Sequence, residues 1–263
     1  MSYGSVTSAP KSATRALRAT VASEAVVGTF QIIASPTVTE VLAVSGAEVI
    51  VADAEHAAFD FPILEQLVRA GEYRGASVVI RVPGIGSDLS RALDTGAAGV
   101  IVPRVESAAE AAEIVRATRF PPIGARGIGP ARATVYGLDI PTYRAAANDD
   151  LLVVAMIETR AGLDAVDEIV AVEGIDLIMV GPADLASSLG TTVGSPEHTD
   201  AVTHILEKAL AAGRQVGIHC ADAAEAERFR DRGVRLLLIG TDVSFLATTA
   251  AAHFSALSGD DQA

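Results

Sequence analysis

The sequence predicts a single (β/α)8 barrel, an α/β fold, and three features point to it. Short apolar runs rich in Val, Ile and Leu recur eight times along the chain. Amphipathic segments with helical spacing separate them, the alternation expected of parallel βα units. Residues able to do chemistry gather where the runs end, and in such barrels the working site lies at the C-terminal ends of the strands. A length of 263 residues, half of them hydrophobic, matches the roughly 250 residues that one barrel needs.

Taken in order, strands are expected at residues 26–33, 48–53, 77–82, 99–103, 151–157, 177–180, 215–219 and 235–239. The first carries Phe30. The second ends in Asp53-Ala54-Glu55-His56, and the third closes on Arg81. After the fourth, a helix is expected over 107–118, where Ala108, Ala111, Ala112 and Val115 fall at helical spacing. Glu106, Glu110 and Glu113 crowd its N-terminal half, the end at which a helix dipole favours negative charge. Gly124-Ala125-Arg126-Gly127-Ile128-Gly129-Pro130 then opens a long loop through Tyr136. It lacks the Gly-Lys-Ser/Thr ending of a Walker loop. With Arg126 and Arg132 it reads either as the part of a site that receives the far end of a substrate or as plain surface. The fifth strand carries Met156 and is followed by Glu158, the sixth by Gly181-Pro182-Ala183-Asp184, and the seventh ends at His219 beside Cys220.

One barrel domain is expected over 24–257, flanked by tails at 1–23 and 258–263. Residues 1–23 hold Lys11, Arg15 and Arg18 and no acid, which superficially suits a transit peptide, although a flexible or partly helical tail explains it as well. A net charge of -13 with no cluster of Lys and Arg argues against a nucleic-acid partner. No apolar stretch approaches the roughly 18 residues of a membrane span. The lone Cys220 has no partner for an internal disulfide, so a reducing, cytoplasmic setting is expected.

The chemistry centres on two acids. Glu158 and Asp184 follow neighbouring strands, so a barrel would aim both carboxylates at one mouth, and two oxygen ligands plus water and a chelating substrate satisfy a divalent ion such as Mg²⁺ or Mn²⁺. Each acid also has a plain structural reading, Asp184 as a helix N-cap and Glu158 in a surface ion pair with Arg160. Gly181, Pro182 and Ala183 place small residues at a helix start, a cradle for a carboxylate or a simple strand-to-helix turn. Arg81 would bring a fixed positive charge to the same mouth, to hold a carboxylate or steady a developing enolate. His56 suits proton transfer at an aldol hydroxyl, with Asp94 as an orienting partner, although an Asp before a glycine turn is often only a turn residue. Glu55 either organises metal-bound water or supports its neighbours. Lys11 and Lys208 are the only lysines, and neither follows strand six, which favours a metal route over an iminium route.

Several ordered motifs, Asp53-Ala54-Glu55-His56-Ala57, Arg81, Leu93-Asp94-Thr95-Gly96-Ala97, Ile157-Glu158-Thr159 and Gly181-Pro182-Ala183-Asp184-Leu185, resemble those of the class II pyruvate aldolases of the 4-hydroxy-2-oxoheptanedioate and 2-dehydro-3-deoxyglucarate type. The similarity runs from about residue 26 to 254. It implies that Glu158 and Asp184 bind Mg²⁺, Mn²⁺ or Co²⁺, that Arg81 contacts the 2-oxo acid, and that the amides of 181–184 receive its carboxylate. It further implies that His56 with Asp94 handles protons and that Asp53 lies near the aldehyde. Members of that family usually assemble as hexamers of barrels with an exchanged C-terminal helix, here 248–257, so the resemblance implies a homo-oligomer, either a hexamer or trimer-based. Met156 and His219 are expected to line the substrate with Arg81 and 181–183, although the chain departs from many relatives in having Met156 where a Gln that approaches the 2-oxo acid is frequent, Phe30 where Trp is common, and His219 near a position that is often apolar. Decarboxylase or acyl-CoA lyase chemistry on the same enolate, or a catalytically silent barrel, are the rival readings.

Overall fold

The computed structural model describes residues 17–258, with side chains to 255. Among them eight strands, β1 (Val26–Gln31), β2 (Val49–Asp53), β3 (Ser77–Arg81), β4 (Gly99–Val102), β5 (Leu152–Ile157), β6 (Leu177–Val180), β7 (Gln215–Cys220) and β8 (Leu236–Thr241), pair in parallel and in chain order to close a barrel. Every strand lies within two residues of its expected position, because each centres on a short, mostly apolar run that the barrel interior and the helix layer bury on its two faces. The helices are α1 (Leu17–Ser23), α2 (Pro36–Val44), α3 (Phe61–Arg74), α4 (Ser87–Asp94), α5 (Ala108–Thr118), α6 (Ile140–Asp150), α7 (Arg160–Asp164), α8 (Val166–Ala171), α9 (Pro182–Leu189), α10 (Pro196–Ala211), α11 (Ala223–Asp231) and α12 (Asp242–Ser258).

Side-chain caps fix where several helices start. Asp60, Ser107, Ser195 and Asp222 accept the N–H groups of Ile63, Glu110, His198 and Glu225, satisfying donors that the first turn leaves unpaired.

The two-residue period of a strand sorts the core into two shells. Phe30, Val51, Val79, Ile101, Val154, Met156, Met179 and Leu238 fill the barrel interior. Ile50, Ile80, Val100, Ala155, Ile178 and Ile218 face the helices. Stepping two residues up from the interior residues brings Asp53, Arg81, Pro103, Glu158, Gly181, His219 and Gly240 into a top lumenal layer at the C-terminal mouth.

At the opposite end, Leu17 and Val21 of α1 join the interior cluster and close the floor, and Arg18 reaches Asp176 at 2.7 Å. The stretch expected as a tail thus ends in a packed helix, since two apolar side chains four residues apart on a helix can plug the barrel base. Residues 1–16 and 259–263 lie outside the described residues. Asp242, buried, accepts the amides of Ile32 and Ile33 at 2.9 Å each and so ties the start of α12 to the end of β1. Beyond it Val243, Phe245 and Leu246 are exposed.

Candidate active site

Glu158 follows β5 and is 2% exposed. Its Oε1 accepts the backbone N–H of Arg104 at 2.9 Å, and its Oε2 is buried with no hydrogen-bond partner. Arg104, the donor of that N–H, holds a left-handed φ of 52°, unusual for a side-chain-bearing residue. Burial, above all, raises the Glu158 pKa to about 7; the Arg104 N–H opposes the rise, and the charges of Asp184 and Glu55 add to it. That repulsion marks Asp184, exposed in the first turn of α9, as a neighbour of Glu158 at one mouth. The structural alternatives fall away. Gly181, not Asp184, is the N-cap of α9, and Arg160 pairs with Glu197 at 3.1 Å.

Gly181 has an ordinary φ, so its necessity is steric. A Cβ there would stand 2.4 Å from Glu158 Oε2 and 2.6 Å from the Met156 methyl. The amide cradle is narrower than the sequence implied. Pro182 has no N–H, Gly181 gives its own to Ile157 O at 3.2 Å, and Leu185 gives its own to Gly181 O at 3.0 Å. Ala183 and Asp184 hold the open amides of this turn, and they sit at the positive end of α9.

Arg81, 7% exposed at the end of β3, is gripped by Asp53 through Nε–H to Oδ1 at 2.8 Å and Nη2–H to Oδ2 at 2.6 Å. The register sets these two residues side by side. Asp53 Oδ1 also receives the amides of Glu55 and His56 at 3.3 Å, so one buried carboxylate orients the arginine and shapes the following turn. Glu55 Oε2 lies 3.3 Å from Arg81 Nε and 3.5 Å from His56 Nε2, and burial raises its pKa. Arg81 Nη1 makes no hydrogen bond among the described residues. The guanidinium lies 4.9 Å from the Phe30 ring centroid, and Phe30 in turn meets the His219 ring at 5.7 Å.

Two readings need correction. His56 and Asp94 do not form a dyad within this chain: Asp94 ends α4, which runs back toward the N-terminal floor, and it pairs with Arg126 at 2.7 Å. Glu55 is the carboxylate beside His56. Arg126 and Arg132 do not reach the mouth, because Arg126 is committed to Asp94 and Tyr143, and Arg132 to Glu72 and the Thr95 carbonyl. Cys220 faces the helix layer, and burial pushes its thiol up to about 12, far from nucleophilic use.

Two participants escaped the sequence reading. One is the Arg104 amide. The other is His198, buried in α10, whose Nδ1 accepts Gly194 N–H at 3.1 Å while Nε2 donates to Pro182 O at 2.9 Å. It clamps the start of α9, and no local motif announces a contact set sixteen residues apart.

The donor set suits a hard divalent cation. Glu158 offers a buried oxygen that nothing else satisfies, a costly arrangement unless a ligand uses it. Among the described residues no three His, Cys, Asp or Glu side chains form a closed cage, so water and substrate would complete the coordination, as Mg²⁺ tolerates.

A parallel barrel with buried acids, an open guanidinium edge and, among the described residues, unpaired amides at its C-terminal mouth defines a barrel enzyme acting on small molecules. The chain belongs to the HpcH/HpaI aldolase/citrate lyase family, whose model matches residues 27–249, and is an enzyme of the carbon–carbon lyase class. It is 43% identical over 223 residues to a hydroxypyruvate/pyruvate aldolase of Roseovarius nubinhibens, covering 82% of this chain and 86% of that one. A 5-keto-4-deoxy-D-glucarate aldolase of Salmonella paratyphi C is 37% identical, covering 87% of this chain and 91% of that one. The crystal structure of a family protein from Burkholderia cenocepacia superposes with a TM-score of 0.88 at 33% identity, covering 94% of this chain and 100% of that chain.

Proposed function

We propose that this enzyme is a divalent-metal-dependent aldolase that makes or breaks the bond between the enolate of pyruvate, or a similar 2-oxo acid, and an aldehyde. The observation that carries the reading is Glu158 Oε2, buried and unsatisfied, beside a second acid and two open amides on the adjacent βα unit. The relatives' names, which specify pyruvate, hydroxypyruvate and a keto-deoxy sugar acid, support it.

Glu158 and Asp184 would hold Mg²⁺, Mn²⁺ or Co²⁺, which when bound supplies Lewis-acid polarisation of the 2-oxo acid. The Ala183 and Asp184 amides receive its carboxylate, while Gly181 and Met156 leave room for it. Arg81, aimed by Asp53, lends its open Nη1 edge to the oxygen where charge grows. His56, with Glu55 beside it, moves the proton on and off the aldol hydroxyl. Asp53 acts through Arg81, and the Pro182 carbonyl serves as the anchor by which His198 fixes the cradle.

The test is pyruvate C3–H exchange and adduct formation with a panel of aldehydes, using metal-stripped protein resupplied with each ion. Exchange and adducts that return only with metal are expected. Failure of every ion to give an adduct, or faster oxaloacetate decarboxylation than aldol turnover, would sink the aldolase reading. His56→Ala should slow aldol turnover by about 10²-fold or more while leaving the calorimetric metal affinity in place.

The assembly proposed is a homo-oligomer, a hexamer or trimer-based, with α12 docked on a second copy. Its exposed Val243, Phe245 and Leu246 stand beside a cavity of about 600 Å³ lined by Val38, Val41, Leu42 and Ile239. Light scattering of the full chain against Leu246→Glu checks it. No helix among the described residues is long and apolar enough to cross a membrane; a cytoplasmic location is proposed from the buried free thiol of Cys220.

A further inference from the structure

The top lumenal layer holds one ring to which the aldolase reading gives no task. His219 lies on β7, and strand alternation turns it inward while Ile218 and Cys220 pack against the helices. Its Nε2 is 3.3 Å from the Gly240 carbonyl, which also accepts the Thr29 hydroxyl at 3.1 Å. A carbonyl only accepts, so the neutral ring must carry its proton on Nε2. Nδ1 is then a bare lone pair, and no described residue donates to it. Burial, with the nearby Arg81 charge, disfavours a second proton on the ring.

With Glu158 and Asp184 assigned to the metal, and Asp53 and Glu55 turned toward Arg81, the groups left open to substrate are donors: Arg81 Nη1 and the Ala183 and Asp184 amides. These suit the carboxylate, keto and aldehyde oxygens of an aldol pair, all of which are acceptors. A lone pair suits none of them. What it does complement is a hydroxyl, the remaining polar group that such small substrates carry. Phe30 packs against both the His219 ring and the Arg81 guanidinium, so these two groups, from opposite strands of the barrel, meet over one aromatic ring at the mouth.

We propose that His219 Nδ1 accepts a hydrogen bond from a substrate hydroxyl next to a reacting carbon, making the site selective for hydroxylated partners: a 3-hydroxy-2-oxo acid or a 2-hydroxyaldehyde. This rests on the aldolase reading and narrows its substrate class. His219 is a specificity residue, since the bond-forming step can proceed without a hydroxyl.

The experiment crosses pyruvate and hydroxypyruvate with acetaldehyde and glycolaldehyde, using Mn²⁺-loaded full-length protein. The quantity read is the ratio of kcat/KM for the hydroxylated over the plain partner. His219→Phe keeps a ring but removes the acceptor, and should lower that ratio roughly threefold to tenfold, the weight of one neutral hydrogen bond. His219→Asn, able to set its Oδ1 near the former Nδ1, should recover most of it. A fall confined to the hydroxypyruvate arm puts the hydroxyl on the nucleophile, and one confined to the glycolaldehyde arm puts it on the acceptor. An unchanged ratio in His219→Phe overturns the proposal. Absence of any adduct in the unsubstituted protein rejects the aldolase reading, and ¹⁵N-histidine NMR then judges His219 by itself. A bare Nδ1 whose resonance moves with hydroxypyruvate or glycolaldehyde, but not with pyruvate or acetaldehyde, supports the assignment; an Nδ1–H tautomer or no such movement overturns it.

Discussion

Two buried arginines at opposite ends of the barrel use the same side chain in opposite ways. Arg119, on the floor, spends Nη1 on the carbonyls of Asn148 and Leu151 at 3.0 and 2.9 Å, and Nη2 on the Gly174 carbonyl at 3.0 Å and on Asp176. It staples three chain segments together. Burial dominates its titration and lowers its pKa despite Asp176. Arg81, at the mouth, is held along one edge by Asp53 and keeps the other edge open. Burial again opposes the charge most strongly, yet Asp53, Glu55 and Glu158 together outweigh it and raise the pKa. A floor arginine with its hydrogens spent is structure, whereas a mouth arginine with a donor edge unspent is poised for a ligand.

Removing the acid that gives the mouth its unsatisfied oxygen should have the largest effect. Glu158→Gln is expected to cut Mn²⁺ affinity and pyruvate proton exchange by on the order of 10³-fold. The sign of its stability effect follows from linkage. With a folded pKa of about 7 against the usual 4.5, the contribution of Glu158 to metal-free stability is present below pH 4.5 and is lost as pH rises through about 7. The Tm of Glu158→Gln minus that of the unsubstituted protein, both metal-free, should therefore grow between about pH 5 and pH 8. A gap that stays constant with pH would contradict the burial argument.

Next comes the direct contrast of the two arginines. Arg81→Lys loses the planar fork that Asp53 grips and should lower kcat/KM by on the order of 10²-fold with little change in Tm. Arg119→Lys should do the reverse, costing about 1.5–3 kcal/mol of stability while leaving turnover per folded molecule intact. Equal loss of activity in both would erase the distinction between the two ends. A smaller effect is expected of Gly181→Ala: with its Cβ forced to 2.4 Å from Glu158 Oε2, the carboxylate must turn away, weakening metal binding roughly tenfold or somewhat more at unchanged fold. Calorimetric titration with Mn²⁺ reads it directly.

Much of the mouth could be read from the chain because the barrel converts sequence position into place. A residue two steps beyond an interior-facing strand residue must enter the top lumenal layer, and this located Asp53, Arg81, Glu158, Gly181 and His219. The same rule carries no information about helices returning to the floor. Asp94 therefore looked like a partner for His56, although α4 delivers it to the far end, where Arg126 takes it. Arg132, which the sequence left open between a substrate contact and plain surface, is likewise taken up away from the mouth, by Glu72 and the Thr95 carbonyl. The Arg104 amide was equally hidden, since a left-handed bend at a non-glycine residue leaves no compositional trace.

Local chemistry alone, then, determined the eight strands, the helix between them at 108–118, and the pair of acids that a barrel must bring together, because apolar periodicity and cap residues act over a few positions. Tertiary structure alone decided which oxygen of Glu158 stays unsatisfied, which edge of Arg81 stays open, that Asp94 pairs with Arg126, and that Leu17 and Val21 close the floor. Those are matters of distance between segments far apart in the chain, set by packing density and by which buried polar groups find a partner across it.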